Sequence, residues 1–162
     1  MQRLTSCIAV AGALIAPAFA ASVDAFVGQQ PEALLKAKPD FARAYRSAIG
    51  DLDLPAWTKR LAAGKSAEIV VVDGTQYILT SACSSRSCVD ERLYVIFDPR
   101  TNRACGLFYL PPASSDPGDA GTAFSRWYGL PADKSRAEAI AAFLLERAAD
   151  DAHTLASPPK RP

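Results

Sequence analysis

The sequence has very little of the chemistry that hydrolytic enzymes use. His153 is the only histidine among 162 residues, and neither a Gly-x-Ser-x-Gly nor a His-Glu-x-x-His motif occurs. His153 follows Asp150 and Asp151 near the end of the last predicted helix, a position where the helix macrodipole favours a solvated imidazole. We therefore expect a protein that is not an enzyme and that carries no metal or cofactor. Loss of a hydrolytic activity in His153→Ala would contradict this expectation.

A charge excess is also missing. The chain has 18 Lys and Arg against 17 Asp and Glu, and its first twenty residues contain only Arg3 as a charge. Without those residues, 18 − 1 = 17 basic side chains balance 17 acidic ones. Such a balance predicts no nucleic-acid partner.

The apolar stretch at residues 8–19 is shorter than the roughly 20 residues that span a bilayer. It follows Arg3 and precedes the small-x-small sequence of residues 18–20, as in an export signal. A transmembrane anchor is the alternative, and nothing after residue 20 favours it. We expect a signal peptide over residues 1–20, one domain over residues 21–155, a disordered tail over residues 156–162 and no membrane attachment after cleavage. The 162 − 20 = 142 remaining residues suffice for one hydrophobic core.

The middle of the sequence predicts strands. Residues 67–73 and 75–81 are rich in β-branched residues and flank an Asp-Gly turn, a strong hairpin signal. Residues 92–97 and 103–110 repeat the pattern, and residues 124–128 suggest a fifth strand. Apolar and polar residues alternate too little in these runs for a sheet with one face exposed to solvent.

Helices are predicted on both sides of this block. Residues 31–49 suggest two short helices broken at Pro39, the second capped by Asp40. A later helix begins with the capping-box spacing of Ser135 and Glu138 and turns Ile140, Phe143, Leu144 and Ala148 towards the sheet. We therefore predict an α+β fold, an antiparallel meander of about five strands with helices on both faces, in three layers.

Cysteine is scarce, and three cysteines follow the predicted signal: Cys83, Cys88 and Cys105. Sequence distance favours a Cys83–Cys88 bridge but does not decide the pairing. Cys105 lies in a predicted core strand, which favours a buried thiol over a link between subunits. The four residues between Cys83 and Cys88 do not match the spacing of a thiol oxidoreductase, and no second pair suggests zinc. The pair is then a structural staple or the closure of a recognition loop.

The sequence resembles the Ivy family, the periplasmic inhibitors of vertebrate (C-type) lysozyme, from about residue 54 to residue 127. The residues that carry the resemblance are Leu54-Pro55-Ala56-Trp57, Tyr77, Ser81-Ala82-Cys83, Cys88, Arg92-Leu93-Tyr94-Val95, Gly106-Leu107-Phe108 and Trp127. The resemblance implies a meandering sheet with helices on both faces, a homodimer and a periplasmic location. It also implies a disulfide loop, typically CKPHDC, whose histidine approaches the two catalytic carboxylates in the lysozyme cleft.

The loop of this chain departs from that pattern. Ser84, Ser85, Arg86 and Ser87 stand where the family has lysine, proline, histidine and aspartate. The resemblance implies that these four residues form the inhibitory loop and that Arg86 is its tip. The partner would be C-type lysozyme or a related peptidoglycan-cleaving enzyme.

A second interpretation stays open. Arg86 would be a solvated charge, and the chain would be a periplasmic binding module. Such a module would restrain lytic transglycosylases or bind another envelope protein.

Overall fold

A computed structural model describes residues 23–84, 87–112 and 123–156 of the chain. The predicted signal peptide, Ser85, Arg86, most of the Pro-rich loop after residue 110 and the tail beyond residue 156 lie outside these ranges. A short 3-10 helix, Val23–Ala25, precedes two helices, α1 (Pro31–Ala37) and α2 (Pro39–Ile49). Five strands follow, and helix α3 (Lys134–Ala156) ends the described chain. No helix in these ranges is long and apolar enough to cross a membrane.

The strands form one antiparallel sheet in the order of the sequence, which confirms the predicted meander. They are β1 (Ala63–Val72), β2 (Thr75–Ser84), β3 (Ser87–Asp98), β4 (Arg103–Leu110) and β5 (Phe124–Tyr128). Val72 pairs with Thr75 across the predicted Asp-Gly turn. Asp73 and Gly74 have φ angles of 48° and 70°, the left-handed values that a two-residue hairpin turn needs at both positions.

Both faces of the sheet are buried, as the continuous apolar strands predict. Leu93, Val95 and Phe97 belong to the core under α1 and α2, which also contains Phe41 and Tyr45. The alternate residues of the same strand face the other way. Tyr94 and Ile96 pack in a second core with Ile140, Leu144 and Ala148 of α3. The α+β fold and its three layers are therefore confirmed.

Two predicted helix starts were wrong. Helix α2 begins at Pro39, and its N-cap residue is Lys38, without a side-chain hydrogen bond, rather than Asp40. Helix α3 begins at Lys134 because Oδ1 of Asp133 accepts the backbone N–H of Arg136 at 2.8 Å. A proline has no N–H that would need an acceptor in the first turn of α2. In α3 the capping hydrogen bond is made by Asp133, and the predicted cap Ser135 lies within the helix.

Strands β4 and β5 have the predicted bounds, whereas the first three strands are longer than predicted. Strand β1 begins at Ala63, four residues before the expected start, and Ala63 pairs with Cys83. Strands β2 and β3 continue beyond Ala82 and before Arg92, so that Ser84 pairs with Ser87. The two cysteines therefore lie within a hairpin and not on a loop beyond the sheet.

Candidate functional site

A disulfide joins Cys83 of β2 to Cys88 of β3, with 4.9 Å between the Cα atoms. The bond closes a six-residue ring, residues 83–88, at the free end of the β2–β3 hairpin. Cys83 is 5% exposed and part of the folded sheet, whereas Cys88 is exposed. One end of the ring is therefore fixed in the core, and the other lies on the surface. The closer cysteine pair, favoured on sequence distance, is the bonded one.

The pairing of β2 with β3 becomes irregular beside the disulfide. Cys83 pairs with Arg92, but the next pair is Ser84 with Ser87. Residues 88–91 of β3 therefore have no residue opposite them on β2. Residues 88–91 therefore bulge out of the β2–β3 pairing. Contacts outside that pairing must hold this bulged segment in its conformation.

Trp57 holds one side of the bulged segment. Its indole Nε1 donates a hydrogen bond of 2.8 Å to Oε2 of Glu91, and its ring packs on Phe108, with 6.3 Å between the centroids. Trp57 packs against the core under α1 and α2. The segment between α2 and β1 thus supports the end of the bulge that is farther from the disulfide.

Arg92 holds the other side. Its Nε donates a hydrogen bond of 2.7 Å to the carbonyl oxygen of Cys88. Its Nη1 lies 3.0 Å from Oδ2 of Asp151 in α3, and both side chains are buried, 8% and 6% exposed. The guanidinium therefore connects the surface end of the ring to the helix on the far face of the sheet.

Asp151 is the centre of this polar cluster. Its Oδ1 accepts from Lys65 Nζ at 2.5 Å, and its Oδ2 accepts from the Tyr94 hydroxyl at 3.0 Å. Burial alone would raise the pKa of Asp151, but Lys65, the Tyr94 hydroxyl and the Arg92 charge together lower it. Burial raises the pKa of Tyr94 to about 12. The cluster therefore contains an ionised carboxylate and a protonated phenol at neutral pH.

Exposed apolar side chains lie at the same end of the sheet. Val89 in the bulged segment is 47% exposed, and Phe124, which pairs with Leu110 at the start of β5, is 51% exposed. Arg92 pairs with Tyr109, so Leu110 and Phe124 belong to the end of the sheet that has the ring. The end of the sheet that has the ring therefore exposes two large apolar side chains.

The opposite end of the sheet has different chemistry. A cavity of about 250 Å³ is lined there by Tyr77, Asp98, Cys105 and residues that include Arg136. Cys105 is a free thiol, and burial raises its pKa to about 12. The prediction of a buried thiol is confirmed, and the raised pKa keeps this thiol protonated at neutral pH.

His153 lies exposed in the last turn of α3. Within the three described ranges, no three His, Cys, Asp or Glu side chains are grouped as a metal site would require.

Of the predicted site residues, the structure places Ser84 and Ser87 as a pair beside the disulfide. Ser85 and Arg86 stay predictions, since they lie outside the described residues. The sequence interpretation missed the supporting residues Arg92 and Asp151. One signal was available: three residues after Ala148, Asp151 continues the face of α3 that packs on the sheet.

The chain matches a known protein family. The model of the Ivy family, described as inhibitor of vertebrate lysozyme, matches residues 40–144. The matched region runs from α2 through the sheet into α3 and includes the ring. No curated protein sequence matches the chain.

Proposed function

Because the chain belongs to the Ivy family of inhibitors of vertebrate lysozyme, we propose that it is a periplasmic inhibitor of C-type lysozyme that inserts its disulfide-closed ring into the enzyme's active-site cleft. The observation that carries the proposal is the Cys83–Cys88 disulfide, which covalently closes a ring of six residues at the end of a β hairpin. The protein acts by binding and not by catalysis.

The closed ring favours binding because the disulfide restricts its conformations before the partner binds. Closing a loop of six residues removes about 2 kcal/mol of chain entropy from the unfolded state, a small contribution to stability. The same closure restricts the residues between the cysteines in the folded protein. Less conformational entropy is then lost when those residues enter a cleft.

Arg86 supplies the charge for the cleft. A lysozyme cleft has a general acid and a second carboxylate on either side of the scissile glycosidic bond. A guanidinium is always protonated and donates in a planar fork that matches carboxylates. Arg86 would therefore take the role of the family's histidine, and inhibition would not require a protonated imidazole.

A lysozyme titration tests the proposal. The oxidised chain from residue 21 is added to C-type lysozyme in amounts well above the enzyme, in parallel with the reduced chain and Arg86→Ala. We expect inhibition by the oxidised chain, weaker inhibition after reduction and at least tenfold weaker inhibition by Arg86→Ala, the loss of a charge-assisted contact. No inhibition by the oxidised parent chain contradicts the lysozyme function.

The replaced ring sequence favours one second candidate, a binding module for another target. Arg86 and the three serines differ from the family pattern at every position between the cysteines. Such a protein would restrain lytic transglycosylases of the same cell. Inhibition of a purified transglycosylase without inhibition of C-type lysozyme would support this candidate.

Export and assembly stay predictions with direct tests. Mass spectrometry of the protein from a periplasmic extract should show a chain that begins at Ala21. Sedimentation of that chain should show whether it forms the homodimer that the family resemblance implies.

A further inference from the structure

We propose that Arg92 is a positioning residue for the inhibitory ring: anchored by Asp151 of α3, it holds the carbonyl of Cys88 and so determines how the ring is presented to lysozyme. This inference rests on the proposed function, since it concerns how the ring meets the same partner. It gives a role in lysozyme binding to the polar cluster around Asp151, which lies behind the β2–β3 hairpin and does not itself enter the lysozyme cleft.

The geometry gives Arg92 two tasks at once. Nε donates to the Cys88 carbonyl at 2.7 Å, and Nη1 pairs with Oδ2 of Asp151 at 3.0 Å. The planar guanidinium fixes the angle between these two bonds, so the orientation of one partner constrains the other. The carbonyl of Cys88 is thereby tied to a helix and not merely to its own strand.

The anchor is itself held. Asp151 is 6% exposed as a side chain, and it also accepts from Lys65 Nζ at 2.5 Å and from the Tyr94 hydroxyl at 3.0 Å. Tyr94 lies two residues after Arg92 on the same face of β3 and packs in the core under α3. These partners hold the carboxylate of Asp151 in one orientation, and the carboxylate in turn orients the guanidinium of Arg92.

The ring needs this support because the ladder does not provide it. Residues 88–91 have no residue opposite them on β2, and Cys88 is exposed. The disulfide constrains the side chain of Cys88 and does not itself bond the carbonyl of that residue. The Arg92 bond fixes the following carbonyl, and the Trp57–Glu91 bond holds the other end of the bulge.

Arg92→Met is the direct test. Methionine keeps an apolar stem of similar length but donates to neither partner, while Asp151 keeps Lys65 and Tyr94. Lys65→Met is the matched control, because Lys65 bonds only Oδ1 of Asp151 and is 57% exposed. Its loss leaves Oδ2 of Asp151 with both Arg92 and the Tyr94 hydroxyl. Arg92→Lys keeps the positive charge for Asp151 but loses the planar fork, so it separates charge pairing from positioning.

Two measurements are made where all variants are fully folded by near-ultraviolet circular dichroism. The first is amide hydrogen exchange of residues 87–91 in the free protein. The second is the dissociation constant for C-type lysozyme. We expect Arg92→Met to speed amide exchange of residues 87–91 about fivefold or more and to weaken lysozyme binding about tenfold. Arg92→Lys should behave like Arg92→Met in both measurements. Lys65→Met should behave like the parent chain.

The outcomes separate this inference from the proposed function. Unchanged exchange at residues 87–91 in Arg92→Met overturns the positioning role, whether or not the parent binds lysozyme. Faster exchange with unchanged lysozyme affinity overturns it as well. Faster exchange in a chain whose parent does not bind lysozyme supports Arg92 as the holder of the ring and contradicts the proposed function alone.

Discussion

Asp151→Ala should destabilise the protein strongly, because it leaves Arg92 buried without its carboxylate. Breaking a buried ion pair by removing one partner costs about 3 to 5 kcal/mol. The lower end applies here, since Arg92 keeps the Cys88 carbonyl at 2.7 Å and the Tyr94 hydroxyl at 3.3 Å, and Lys65 is 57% exposed and regains water. We therefore expect a loss of about 3 kcal/mol in the free energy of unfolding, a large part of the 5 to 15 kcal/mol that is typical of a domain.

Urea unfolding at neutral pH measures this loss. The double variant Arg92→Met/Asp151→Leu is the control, because removing both charges leaves no unpaired ion. It should be more stable than Asp151→Ala. A loss below about 1 kcal/mol in Asp151→Ala, the range of surface ion pairs, would refute the description of the cluster as a buried anchor.

The pH dependence of the same comparison has a definite sign. The pKa of Asp151 lies below its ordinary value of 3.8 in the folded protein. Its contribution to stability is therefore fully present above pH 3.8 and is lost as the pH falls through the lowered pKa. The stability difference between the parent and Asp151→Ala should be equal at about pH 7 and about pH 5 and should shrink only in stronger acid. A difference that shrinks between about pH 7 and about pH 5 would contradict the lowered pKa.

Three further predictions follow from other parts of the fold. Gly106→Ala should prevent stable folding, because a Cβ there would overlap the Tyr94 carbonyl oxygen. Gly74→Ala is its control: a Cβ there meets open space, and the positive φ should cost only about 1 kcal/mol of stability, as measured by thermal unfolding. Cys105 should not react with a thiol reagent at mildly alkaline pH until the protein is unfolded, and rapid reaction of the native protein would contradict its burial. Val89→Ser should leave the melting temperature unchanged and weaken lysozyme binding about fivefold, the effect of about 1 kcal/mol of lost apolar contact; equal affinity would exclude Val89 from the interface.

Local patterns in the sequence were sufficient for the elements and their order. The Asp73–Gly74 turn could be predicted because only a few residue types accept a positive φ at two consecutive positions. The continuous apolar strands required cover on both faces, and α2 and α3 provide it. The ring could be inferred from two cysteines five positions apart, since so short a separation places them within reach of each other.

Element boundaries were predicted less well, because several nearby residues satisfy the same local rule. Asp133 and Ser135 are both good helix caps, and only the observed hydrogen bond to Arg136 distinguishes them. The continuation of β2 and β3 to Ser84 and Ser87 was missed for a related reason. Polar residues at a hairpin end resemble a loop in sequence, while the disulfide and the ladder keep them paired.

What the sequence by itself determined is the meander and its two buried faces; it favoured the small closed ring without deciding the cysteine pairing. What only the tertiary structure decided is the support of that ring. Tyr94 and Asp151 are 57 residues apart, and Lys65 and Asp151 are 86 apart. No local propensity relates positions so distant. Their contact exists because α3 packs across the sheet, where burial makes a charged group depend on its partners.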